Sequence, residues 1–192
     1  MPDPNPEAVS FLTTRRSRPA KTLQAPAPDR QALRRLLTIA ARAPDHGKLE
    51  PWRFLVLESA AMRRLAETLP EKGAELGIEP EKIDKAVDAF ANAPLVVAVV
   101  ASPKPSDKIP EVEQTLSAGA VCMQLLNAAL AEGWGANWLS GWPSHDRTFM
   151  TEGLALEAHE RIAGFIHIGT ETSAPPERPR PDLDAITTWQ DT

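Results

Sequence analysis

The stretch from Ala43 to Glu58 reads APDHGKLEPWRFLVLE, and its two halves follow different rules. Pro44, Asp45, His46, Gly47 and Lys48 are turn formers with a positive tilt, whereas Trp52, Phe54, Val56 and Glu58 alternate with Arg53, Leu55 and Leu57 in the manner of a strand. Just upstream, Leu33, Leu36, Leu37 and Ala40 recur at i, i+3, i+4 and i+7 behind Asp29, a helix-capping residue. A helix ends, a polar loop turns and a strand begins, which predicts helices packed on a sheet, with binding chemistry on the loop between rigid elements.

Towards the N-terminus, Pro6 to Thr14 is a short predicted helix with Asn5 as cap and Pro6 in its first position, running out into RRSR at Arg15 to Arg18. Towards the C-terminus, Ser59 to Leu69 and Glu81 to Ala91 are amphipathic helices separated by a break at Gly73 to Gly77. LVVAVVA, Leu95 to Ala101, is a continuous valine-rich run and reads as a central strand covered on both faces. Glu111 to Glu132 is the longest helix, apolar nearly all round from Leu116 to Leu130. Such a helix has no face to give to water, so part of its surface is expected against a second subunit. GWGANWLSG, Gly133 to Gly141, is a helix exit with an extended piece. Pro143 and Asp146 start a short helix, and RIAGFIHIG, Arg161 to Gly169, is a third strand. A proline-rich tail then leads to the β-prone Ala185 to Trp189. No repeat is present, and residues 1–192 read as one domain with 172–192 as an extended tail.

Bulk properties narrow the function. A chain of 192 residues, 42% apolar, is long enough for one full core. The net charge of −5 argues against nucleic acid or an anionic membrane as partner, and the basic residues near the N-terminus then point to a small anion. Cys122 is the single cysteine, which excludes an internal disulfide, and it falls in the apolar helix as core packing. His46, His145, His159 and His167 lack metal-ligand spacing, so no metal site is expected. No signal peptide and no apolar run of about 20 residues is visible, so a cytoplasmic location is expected.

Three groups can carry chemistry. Arg15 and Arg16 can fork onto phosphate oxygens with Ser17 adding a hydroxyl, although paired arginines also occur as a solvated surface. His46 can sit at a ligand edge or be a turn histidine. Trp138 lies among Trp134, Trp142 and three glycines, where backbone can approach a planar ligand. No nucleophile–base pair, P-loop or GxGxxG is present, so no catalytic side chain is assigned.

Together, TRRSR (Thr14 to Arg18), RAPDHGKLEPWRF (Arg42 to Phe54), NAPLVVAVV (Asn92 to Val100), the run from Glu113 to Gly141 and IAGFIHIGT (Ile162 to Thr170) resemble, in order, the nitroreductase family of FMN flavoproteins, in particular its short minimal subgroup. The resemblance implies an α+β sandwich around a mixed sheet of four to five strands, built as an intertwined homodimer with the C-terminal strand swapped onto the partner and FMN at the interface. By that likeness Arg15, Arg16 and Ser17 bind the flavin phosphate and pyrimidine side. Arg42 and His46 reach the flavin from the partner chain, Trp138, Leu139 and Ser140 run beside phosphate and ring, and Ala128, Ala129, Leu130, Ala131, Glu132 and Gly133 meet the nicotinamide nucleotide. The implied function is passage of hydride from NAD(P)H through flavin N5 to electron-poor acceptors such as nitroaromatics or quinones. The alternative is an FMN-binding sensor or store without turnover. Two positions depart from the family: Pro19 stands where a basic residue is usual, leaving Arg18 or Lys21 to substitute, and Glu50 stands where Gln precedes Pro-Trp.

Overall fold

A computed structural model describes residues 3–191. Its helices are α1 (Pro6–Thr14), α2 (Arg30–Ala40), α3 (Ser59–Glu75), α4 (Pro80–Ala91), α5 (Glu111–Ala131) and α6 (Leu183–Ile186); its strands are β1 (Leu23–Gln24), β2 (Trp52–Glu58), β3 (Leu95–Ala101), β4 (Gly135–Leu139) and β5 (Arg161–Glu171). The caps work as the sequence predicts: the Asn5 side chain accepts from the Ala8 amide and Asp29 from the Ala32 amide.

β5 is the centre of the sheet. Phe165 to His167 pair with β3 on one edge and with β4 on the other, β2 pairs with the far edge of β3, and β1 adds two residues at the C-terminal end of β5. Every one of these pairings is antiparallel, which corrects the expected mixed sheet: β2–β3 and β4–β5 are consecutive strands that run back on each other, and the longer connections to β5 bring it in antiparallel to β1 and β3 as well. β3 explains the valine run. Val96, Ala98 and Val100 face a core closed by α3 and α4, while Leu95, Val97 and Val99 face a second core closed by α2 and α5, so alternate side chains serve two layers of helix. His167, in β5, lies in the first of these cores beside the Phe90 ring, and burial pushes its pKa down to about 4, so it stays neutral.

Two local expectations change. α3 does not stop at Leu69 but runs through Pro70 and Gly73 to Glu75. Gly73 is the point where Ile83 of α4 packs: a Cβ there would meet Ile83 side-chain atoms at 2.6 and 2.7 Å, so tertiary packing of the helix pair overrides two helix breakers. In the tail, Ala185 to Trp189 forms no strand; a single helical turn ends at Ile186, and Ile186 and Trp189 are exposed. Backbone that pairs with no sheet edge in its own chain has nothing to hold it extended. Among the described residues, no helix is long and apolar enough to cross a membrane.

Candidate functional site

α1 ends at Arg15, and the chain then runs as a strap along β4: the Arg18 amide donates to the Ala136 carbonyl at 2.8 Å, and the Asn137 side chain donates to the Arg18 carbonyl at 2.8 Å. These bonds bring Arg15, Arg16 and Ser17 to the same edge of the sheet as Trp138, Leu139 and Ser140. The Trp138 indole lies over Gly164 of β5, where a Cβ would meet its Nε1 and Cδ1; only glycine leaves room for the ring to lie on the strand.

Beside the strap is a hollow of about 590 Å³ lined by Arg15, Arg16, Ser17, Arg178 and Arg180. Arg178 and Arg180 are the residues that sequence reasoning missed. They lie in the tail, and only its return along α1 places them here: Arg16 donates through Nε and Nη2 to the Pro176 carbonyl at 3.3 and 3.0 Å, and Arg180 donates to the Thr13 carbonyl at 3.1 Å. RPR between prolines was the available signal. Arg15 reaches Asn127 of α5 through Nη1 at 3.4 Å, while its Nε is buried without a partner. A buried guanidinium N–H left unpaired is costly unless an acceptor completes it. Four guanidiniums and a hydroxyl around one hollow fit a phosphate monoester.

The other predicted residues are placed differently. His46 pairs through Nδ1 with Glu113 at 2.7 Å, at the start of α5. Asn127, which holds Arg15, lies about 21 Å further along that helix at 1.5 Å per residue. One chain therefore does not bring His46, or the exposed Arg42 that ends the α2 turn, to the arginine hollow. The loop carrying His46 is unusual in itself: Gly47, Lys48 and Glu50 all have positive φ (72°, 54° and 47°), and Asp45 holds the loop by accepting from the Leu49 and Glu50 amides. Non-glycine residues in that region are strained and cluster at functional loops. Glu50 itself is exposed. Arg18, which with Lys21 could stand in for the basic residue absent at Pro19, has its Nε 2.9 Å from Glu171. Of the Ala128–Gly133 segment, Ala128 and Ala129 are buried against the sheet and only Ala131, Glu132 and Gly133 are open, with Glu132 paired to Arg35 at 3.1 Å.

Along α5, from the His46 end towards Asn127, Val112, Leu116 and Met123 are 63%, 69% and 41% exposed on one stripe, with Gly119 and Ala120 between the last two. Such a stripe is a contact surface in waiting. No group of histidine, cysteine and acidic side chains suited to a metal exists among the described residues.

Comparison with known proteins bears on the family and the fold. The sequence profile described as "Nitroreductase family" matches residues 12–170. The chain is 39% identical over 166 residues to the "Putative NAD(P)H nitroreductase" of Haemophilus influenzae and 35% identical over 164 residues to the "Putative NAD(P)H nitroreductase YdjA" of Escherichia coli, covering in each case 85% of this chain and 88% of the relative. The fold matches the crystal structure of a "putative nitroreductase in complex with fmn" from Desulfovibrio desulfuricans with a TM-score of 0.75 at 22% identity, over 99% of both chains.

Proposed function

The chain belongs to the nitroreductase family, and from that premise we propose that it is an FMN-dependent oxidoreductase that takes its electrons from NAD(P)H and works as a homodimer. The observation that carries the proposal is the arginine hollow with the unpaired Nε of Arg15 beside the Trp138 segment. Arg15, Arg16 and Ser17 hold the FMN phosphate, with Arg178 and Arg180 adding charge. Trp138, Leu139 and Ser140 form the wall along the ring, and the open end of the Ala128–Gly133 segment lies on the side of the nicotinamide nucleotide. FMN held there would supply the redox chemistry, namely hydride acceptance from NAD(P)H through N5 and electron delivery to a small electron-poor acceptor such as a nitroaromatic or a quinone. The chain's part is to bind, orient and exclude water, so no side chain needs to act as general acid or base.

Two observations support the homodimer. The α5 stripe is apolar and uncovered, and His46 and Arg15 stand at opposite ends of it. A two-fold axis across the helix brings the partner's copy of the His46 loop next to this chain's arginine hollow, as an isologous contact does. The tail segment Ala185 to Trp189 is then free to extend along the partner's sheet edge, giving the parallel strand that one chain lacks.

The test is flavin affinity. Arg15→Ala with Arg16→Ala is expected to weaken FMN binding by about 2–5 kcal/mol, at roughly 1.5–3 per charged hydrogen bond and less than full additivity. Unchanged affinity in the double variant sinks the assignment. Bleaching of the yellow protein by NADH or NADPH without air separates a reductase from a flavin store.

A further inference from the structure

Hydride chemistry leaves the pairing of His46 with Glu113 unused, and the pair has the form of an oriented acid. Nδ1 of His46 lies 2.7 Å from the carboxylate of Glu113, which sits in the first turn of α5. A carboxylate only accepts, so Nδ1 carries the hydrogen and Nε2 is the nitrogen left to exchange protons. The imidazole is 64% exposed, so it can recover a proton from water. The loop around it is fixed at several points. Ser117, buried in α5, donates to the Pro44 carbonyl at 2.7 Å. Asp45 accepts from the Leu49 and Glu50 amides. A Cβ on Gly47 would run into Ile109 Cδ1, so the turn rests on that side chain. A loop with positive φ at Gly47, Lys48 and Glu50, tied down at each of these places, is built to hold one geometry.

We propose that His46 is the proton donor to the electron acceptor and that Glu113 is its positioning residue. The inference rests on the FMN-dependent homodimer above, in which the partner's copy of this loop lies beside the flavin. An acceptor takes up more than a hydride. In a nitroaromatic one N–O bond breaks, the electron pair of the hydride reduces the nitrogen, and the oxygen leaves as water with the hydride's proton and one further proton. A quinone takes the same electron pair and two protons on its oxygens. NAD(P)H supplies the electron pair and the first proton together; the second comes from elsewhere. Water can supply it, so an acid is not required, but a placed one is faster. The neighbouring arginines cannot, because a guanidinium keeps its proton. His46 gives the proton from Nε2 to the acceptor oxygen, while the bond to Glu113 keeps Nδ1–H in place, so the ring recharges through the same nitrogen. The reductive half of the cycle consumes no proton, so this acid bears on the oxidative half alone.

Nitrogen NMR of the flavin-free, full-length protein is the first test. The neutral His46 ring should be the Nδ1–H tautomer, and Glu113→Ala should turn it to the Nε2–H form that an unheld histidine prefers. Stopped flow on protein loaded with excess FMN is the second. It separates bleaching by the nicotinamide donor from reoxidation by nitrofurazone and by ferricyanide, which takes electrons without protons. His46→Ala should slow reoxidation by nitrofurazone about 10²-fold more than reoxidation by ferricyanide, and Glu113→Ala should do the same by a smaller factor. Imidazole in the buffer should restore part of the His46→Ala loss. A wild-type ring in the Nε2–H form, equal losses with the two oxidants, or no rescue overturns the proposal. The two readings fail separately: a colourless protein removes the flavin and this role with it, whereas a yellow protein that the donor bleaches, and whose variants lose both oxidants equally, removes only the proton donor.

Discussion

α4 and α5 are both surface helices on the same sheet, one on each side, and they are finished differently. α4 meets water with charge: Lys82 pairs with Glu79, Lys85 with Glu81, and its buried residue is Phe90. α5 buries a far larger face yet still shows Val112, Leu116 and Met123 on its outer stripe, where no pair of charges replaces them. Hydrophobic burial alone accounts for both inner faces. The outer faces differ in kind: the α4 side ends at water in charge pairs, and the α5 side carries the uncovered apolar stripe on which the proposed homodimer rests.

The strongest way to break this contrast is Leu116→Asp with Met123→Asp. At about 1.5–3 kcal/mol for each apolar side chain covered, two on each protomer, the dimer is expected to lose roughly 6–12 kcal/mol. Analytical ultracentrifugation at micromolar concentration should then find monomer, with FMN lost alongside; a surviving yellow dimer would erase the difference between the two helices. Phe90→Ala acts on the other side and should cost about 3–5 kcal/mol of folding stability through the cavity it leaves among Phe149 and Phe165. Urea titration should record that loss, whereas a shift in assembly at native conditions would mean that the α4 side also supports the interface.

Glu160→Gln sharpens the comparison by testing a buried charge that belongs to neither helix. Arg53 donates to both Glu160 carboxylate oxygens at 2.6 and 2.7 Å, and this holds the Glu160 pKa down to about 2 against the opposing effect of burial. A depressed carboxylate stabilises the fold above its unfolded pKa of about 4.3, and the gain fades as pH falls from there through about 2. The variant should therefore lose about 1–3 kcal/mol at neutral pH and show a flatter stability profile across that acid window. An unchanged acid limb of the denaturation curve would count against the pairing. Glu81→Gln, which removes one exposed pair from α4, should change stability by less than about 0.5 kcal/mol, since that helix is already complete without it.

Much of this was legible in the residues because local rules govern it. Asn5 and Asp29 announce helix starts, and seven consecutive apolar residues at Leu95 to Ala101 require cover on both faces. The failures have the opposite character. Leu23–Gln24 is too short for any periodicity, and its pairing depends on Thr170 and Glu171 far along the chain. Pro70 and Gly73 obey propensity until Ile83 packs on them. For the site, Arg15, Arg16, Ser17 and the Trp138 segment could be singled out by chemistry, but Arg178 and Arg180 join them only through the tail's path, which no spacing encodes.

The central position of β5 also sets an order of events during synthesis. β3 pairs with β2 as soon as both exist, but its other edge waits for Arg161 to His167. At about 5–20 residues per second, roughly 3–13 s separate the completion of β3 from the arrival of the strand that covers it. Throughout that interval a nascent chain presents an uncharged, valine-rich strand edge to its surroundings, and that edge is the template on which misassembly starts. A ribosome paused before residue 161 would hold the chain in that exposed condition, and chaperone contact with nascent chains should peak there and fall once β5 has emerged.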